Sequence, residues 1–228
     1  IGTARLFGFN LMRNFAFPYF SRDIAEFWRR WHISLSTWFR DYVYIPLGGS
    51  RGGVFSKIRN TFIIFIVSGF WHGANWTFII WGALNAVYFL PLLLLKRNRQ
   101  NLDIVAIDKK APSVQEFIGI LLTFILTVIA WVFFRAKNAE QAFHFVSKIF
   151  SSSFFTVPYF HGISKSFSTL LLTFIFIGFE WFGRREEHAL EKFGITWPRP
   201  IRWAFYYILI IAIFWVAGKK QEFIYFQF

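Results

Sequence analysis

The stretch Ser68-Gly69-Phe70-Trp71-His72-Gly73-Ala74-Asn75-Trp76-Thr77 sits inside a largely apolar run, Thr61 to Leu95, that carries no formal charge. An imidazole in such a run is costly unless it has polar partners or a water-filled cavity, so ionisable residues at membrane depth mark functional sites. A neutral His72 could act as general base toward a hydroxyl. It could equally pass protons in a transporter, or be a buried histidine hydrogen-bonded to a neighbouring helix. Gly69 and Gly73 loosen the helix on either side and let another backbone or a substrate come close. A second imidazole, His32, lies on a segment rich in Trp and Arg.

Other chemistries find no footing. With no cysteine in 228 residues, disulfide frameworks, thiolate nucleophiles and cysteine-ligated metals are excluded. No pair of carboxylates sits in an apolar setting, and neither an H-E-x-x-H metal pattern nor a G-x-S-x-G elbow is present. The Gly48-Gly49-Ser50-Arg51-Gly52-Gly53 loop could offer N–H groups to an anion but lacks the spacing of a nucleotide-binding motif. His144, His161 and His188 fall among ordinary loop or amphipathic residues.

The elements that would position His72 and His32 follow from periodicity and punctuation. Residues 1–17 read as the end of an earlier membrane segment or an interfacial helix, closed at Pro18. Ser21 is placed to cap a helix. From there Phe27, Trp28, Trp31, His32, Leu35 and Trp38 recur at helical spacing, which predicts one amphipathic, Trp-rich helix with His32 on the face of Trp28. Glu26 and Arg30 are four apart and can pair. An irregular loop follows from Pro46 to Gly53. The run 61–95 exceeds the ~20 residues one span needs, so two short or tilted helices meeting near Trp71 to Asn75 are expected. Further spans are expected at 117–134, 167–182 and 203–217, with an amphipathic helix at 138–150, a loop at 151–158 and basic loops at 96–114 and 183–202. The Lys and Arg of those two basic loops only marginally outnumber those of 135–166, too little to orient the chain.

Composition agrees with a membrane setting. Hydrophobic residues make up 56% of the chain and aromatic ones 23%, against 16% charged, and the mean hydropathy is +0.44; soluble domains seldom carry that much aromatic surface with so little charge. The net charge of +13 comes from short Lys/Arg clusters between apolar runs, where cations meet lipid headgroups. Membrane lipid is therefore the expected partner, not nucleic acid. The chain starts at Ile1 without a signal-peptide pattern, and is expected to be part of a longer protein.

Several motifs in order resemble the membrane-bound O-acyltransferase family: Phe27-Trp-Arg-Arg-Trp-His32-Ile-Ser, Trp38-Phe-Arg-Asp-Tyr42, Tyr44-Ile-Pro-Leu-Gly-Gly49, Phe70-Trp-His-Gly-Ala-Asn-Trp76 and Trp81-Gly82. Within it, these motifs and the closing Glu222-Phe-Ile-Tyr-Phe-Gln-Phe228 resemble the alginate O-acetyltransferase branch. The resemblance implies an all-α, polytopic membrane protein with amphipathic or re-entrant helices, in which 1–228 is the C-terminal part of one transmembrane domain and 1–90 carries the motif block. It implies a ring of helices around a central tunnel, with the N-terminal half of the ring lying outside this chain. It implies His72 as catalytic residue and His32 in the same tunnel, with Trp71, Asn75, Trp28, Trp31, Asp41 and Arg40 as candidate substrate or tunnel-lining residues; Arg29, Arg30, Arg40 and Asp41 also suit charge pairing between helix and loop. The implied activity is O-acetylation of an exported bacterial polysaccharide or cell-wall glycan in the bacterial cytoplasmic membrane. The donor would be acetyl-CoA or another acyl thioester, with no tightly bound cofactor or metal. A periplasmic or extracellular acetyl-transfer partner and a glycan acceptor complete the expectation. D-alanyl transfer to teichoic acid and a non-enzymatic channel or scaffold for acyl or glycan transfer are the alternatives.

Overall fold

The computed structural model describes residues 1–156 and 163–216. His161, the end of the 151–158 loop, Ala217 and the closing 218–228 segment lie outside the described residues. The chain packs as two units, 1–173 and 174–228.

In the first unit a short helix α1 (Gly2–Leu6) leads through irregular chain to a 3-10 turn at Pro18–Phe20. Then come α2 (Ile24–Arg30) and α3 (Ile33–Phe39), the latter running on into one π-helical turn at Arg40–Tyr44. The apolar run becomes the antiparallel pair α4 (Val54–His72) and α5 (Trp76–Leu94), meeting at Gly73-Ala74-Asn75 as expected. After the polar loop come α6 (Val114–Arg135), the amphipathic α7 (Ala139–Ile149), a 3-10 turn at Ser152–Phe155 and the start of α8 (Ile163–Gly183), whose residues from 174 on belong to the second unit. Helices α4, α5 and α6 are long and apolar enough to cross a membrane. The described residues contain no strand, and the protein is an all-helical, polytopic membrane protein.

The α4–α5 pair is set by two glycines and a cap. Asn75 Oδ1 accepts the Thr77 N–H at 3.0 Å and opens α5. Gly73 ends α4 at φ 154°, ψ 155°, a region essentially reserved for glycine. Gly69 does not loosen α4, which runs straight through it. Instead, a Cβ there would strike the Phe78 carbonyl on α5, and a Cβ on Gly82 would strike the Phe65 carbonyl on α4. Small residues on both helices let the backbones touch, the usual device where lipid supplies no hydrophobic drive. Gly82→Ala is expected to force the pair apart and cost about 1–3 kcal/mol, read as a lower melting temperature of the detergent-solubilised protein. Gly178→Ala, which meets open space, is the control; equal melting of the two variants would refute the close-packing account.

Three further expectations need correction. The helix predicted from Ser21 through Trp38 is broken: α2 ends at Arg30, and His32 sits in the left-handed region at φ 45°, ψ 56° before α3 begins. His32 therefore leaves the Trp28 face. The corner is clasped by the irregular chain before it, with Ile33 N–H donating to Asn14 O at 2.9 Å, and Ser34 N–H and Oγ donating to Asn14 Oδ1 at 3.0 and 2.7 Å. The cap of α2 is Asp23, which accepts from Glu26 N–H at 2.7 Å, while Ser21 Oγ donates back to Pro18 O. Helix α4 also starts earlier than the apolar run, because Asn60 turns inward to donate to Leu47 O and Gly49 O, so a polar residue joins the helix at no cost in unmet hydrogen bonds.

In the second unit, α8 gives way to a turn-rich connection and α9 (Arg199–Val216). Its described core is aromatic: Phe193 packs against Phe179 at 5.0 Å, Trp197 at 5.2 Å and Phe205 at 5.2 Å. Arg184 lies buried over the Trp181 ring at 3.9 Å. The spans expected at 167–182 and 203–217 fall on α8 and α9; the apolar part of α8, Phe167–Gly183, is shorter than the three long spans.

Candidate functional site

His72 is the last residue of α4, and rings from three helices surround it. Trp71 and Phe134 stand at 4.9 Å between centroids, Trp81 at 5.4 Å and Phe78 at 6.2 Å. Trp81, Phe133 and Ala130 belong to the buried core between α5, α6 and α7, so the imidazole rests on the best-packed part of the unit. His32, at the corner between α2 and α3, stands 6.1 Å from the Phe15 ring between centroids. The Nδ1 of His32 is buried and has no hydrogen-bond partner among the described residues.

The other predicted lining residues divide. Trp28 and Arg40 line a cavity of about 300 Å³ between α2, α3, α4, α5 and the loop after α5. Its floor is apolar, with Phe39, Phe65, Phe89 and Leu93, and its polar lining includes Arg29, Arg99, Ser36, Tyr44 and Ser68. Trp31 is instead stacked on Phe27 at 5.5 Å and packed against Trp131 at 5.1 Å. Asp41 pairs with its neighbour Arg40 at 2.7 Å, and that hydrogen bond holds its carboxyl below the usual carboxylate range. Trp71 and Asn75 sit at the α4–α5 turn, where Asn75 Nδ2 donates to Lys137 O at 3.2 Å. Of the remaining histidines, His144 and His188 are exposed.

Beneath the cavity runs an ion network. Glu26, 1% exposed, accepts from Arg22 Nε at 3.1 Å and from Arg30 at 2.7 Å. Arg22 also reaches Asp103 at 2.8 Å and Glu116 at 3.3 Å. Burial works against the charge on Arg22, but its hydrogen bonds to Glu26 and Asp103 outweigh that and raise its pKa above the ordinary arginine value. Arg29 donates to Asn98 O and Asn101 O, and Arg30 to Asp103 O. Helix α2 is thereby tied to the loop after α5, but not by the expected charge pairing of Arg29 and Arg30: both reach the loop through backbone carbonyls, and the ion pair to it is Arg22–Asp103.

Sequence reasoning missed Asn85, which is 3% exposed in mid-α5. It accepts the Trp28 indole N–H at 3.2 Å and donates to Trp81 O at 2.8 Å. An Asn in the apolar run, away from the turn that holds Asn75, was the available signal.

This arrangement of helices and motifs can be set beside known proteins. The profile of the membrane-bound O-acyltransferase family matches residues 1–125. The chain belongs to that family. Among relatives, the probable alginate O-acetylase AlgI of Azotobacter vinelandii is 41% identical over 197 residues, covering 85% of this chain and 37% of that protein. The peptidoglycan O-acetyltransferase of Helicobacter pylori is 43% identical over 142 residues, covering 62% of this chain and 25% of that protein. The teichoic acid D-alanyltransferase of Streptococcus thermophilus is 34% identical over 147 residues, covering 59% of this chain and 35% of that protein. The chain spans well under half the length of each of these O-acyltransferase relatives. The family match covers α1 to α5 and the first half of α6, and so includes both His32 and His72.

Proposed function

We propose that the full-length protein is a membrane O-acyltransferase that acetylates an exported polysaccharide or cell-wall glycan in the bacterial cytoplasmic membrane, with His72 as general base. The observation that carries this reading is His72 at the end of α4, enclosed by Trp71, Phe78, Trp81 and Phe134, in a chain of this family. His72 takes the proton of an acceptor hydroxyl as its oxygen attacks the thioester carbonyl. The C–S bond then breaks, and the thiolate recovers a proton from the imidazolium. The acceptor is a glycan hydroxyl, or a periplasmic or extracellular partner that relays the acetyl group. The donor is acetyl-CoA or another acyl thioester; the cavity supports this choice by joining an apolar floor to Arg29, Arg40 and Arg99, groups suited to phosphate. Trp28 and Arg40 line the donor's path, and Asp41 holds Arg40; Trp71 packs against His72, Trp31 adjoins His32 in sequence, and Asn75 caps the helix that follows His72.

The identity of the D-alanyltransferase relative supports one second reading, D-alanyl transfer to teichoic acid. The test is ester analysis of the envelope glycans of cells with and without the full-length protein. Loss of O-acetyl esters on deletion, restored by complementation, supports acetylation; loss of D-alanyl esters alone supports the second reading; loss of neither overturns both.

His32→Ala is expected to lower acetylation about tenfold to a hundredfold at equal membrane abundance, the range of a lost proton-handling group. Wild-type acetyl content in that variant would demote His32 to a corner residue.

A further inference from the structure

Asn85 has no place in the chemistry above, and its position is expensive. An amide in mid-span must have both ends satisfied or cost several kcal/mol. Its Oδ1 serves only the Trp28 indole N–H, 3.2 Å away across the gap between α5 and α2. Its Nδ2 goes to Trp81 O, one turn back on its own helix, a carbonyl that ordinary helix geometry would satisfy without help. The bond that needs Asn85 is therefore the one to Trp28.

Trp28 lines the cavity and touches the ring that packs on His72. Its ring lines the cavity and meets Trp81 at 5.7 Å, and Trp81 meets His72 at 5.4 Å. On the other side it rests against Phe65 of α4 at 5.3 Å. An indole among three rings, Phe27 at 5.5 Å being the third, can still slide or flip; one hydrogen bond from its N–H fixes which edge faces the cavity. We infer that Asn85 is a positioning residue, holding the Trp28 indole as the fixed wall between the donor cavity and His72. This rests on the acyltransferase reading of the same site.

The test uses full-length protein in cells, with O-acetyl content of the exported glycan normalised to membrane abundance. Asn85→Leu, similar in volume and apolar, is expected to lose about tenfold. Asn85→Asp keeps the acceptor for the indole N–H and is expected to retain most of the activity. A merely structural role predicts the reverse order, because a carboxyl in the span is worse tolerated than a leucine. Trp28→Phe keeps a ring but lacks the donor; it should match Asn85→Leu, and the double variant should be no worse than either single. Asn85→Asp below Asn85→Leu, or additive losses in the double variant, would overturn the inference. His72→Ala is run alongside. If it abolishes acetylation while Asn85→Leu is normal, only the inference on Asn85 falls; if His72→Ala acetylates normally, the site reading falls and the inference with it.

Discussion

Full-length protein carrying His72→Ala is expected to reach the membrane in normal amount and to leave the exported glycan without O-acetyl groups. The two halves of that expectation have separate causes. His72 closes α4 but does not hold it: the helix pair is fixed by Gly69 and Gly82 in backbone contact and by the Asn75 cap. The imidazole touches four rings, three of which also pack on one another, with Phe78–Phe134 at 5.0 Å and Trp81–Phe134 at 5.3 Å. Truncation thus leaves a small gap in an otherwise self-supporting aromatic cluster. The chemical loss is larger, because a positioned base contributes about 10²- to 10⁴-fold. Acetyl content is read by ester release from the purified glycan and protein by immunoblot of membranes. Normal acetylation would remove His72 from the chemistry and turn the reading toward a transport or scaffold role.

How much of this was legible in the sequence differs from element to element, for physical reasons. The α4–α5 turn could be placed because length alone forbids one span over 61–95, and because Gly73 and Asn75 are a local stop and start. Glu26–Arg30 was legible because a four-residue spacing on a helix is a contact. The break at His32 was not: the aromatic positions 27, 28, 31, 35 and 38 keep helical spacing across it, and the left-handed turn is imposed by Asn14 and Ala16 of an earlier segment. The start of α4 was hidden because Lys57, Arg59 and Asn60 look like loop until Asn60 is seen to serve the carbonyls of Leu47 and Gly49. Asn85 escaped for a similar reason. Its partner Trp28 is 57 residues away, and nothing local distinguishes a bonded amide from an idle one.

The second large effect is expected at Glu26, which lies outside the reaction. Glu26→Ala removes the carboxylate that faces Arg22 and Arg30, whose side chains are only 8% and 13% exposed. Leaving buried cations without their shared anion costs about 3–5 kcal/mol, of the order of the stability of many whole domains. Asp103 and Glu116 still face Arg22, but Arg30 keeps only the carbonyls of Ala16 and Asp103. The damage should therefore be directional. Helix α2 loosens from the loop after α5, and with it the His32 corner and the Trp28 wall. Limited proteolysis between Arg97 and Lys110, compared in membranes holding wild type and Glu26→Ala, should show faster cleavage in the variant, with a lower melting temperature in detergent. Arg40→Ala is the contrast, because its partner Asp41 is adjacent and both are largely exposed, so the pair adds little stability. If Glu26→Ala melts with the wild type and its loop stays protected, the network is incidental. The α2 corner would then have to be held by its aromatic contacts, chiefly Trp31 on Phe27 and Trp131.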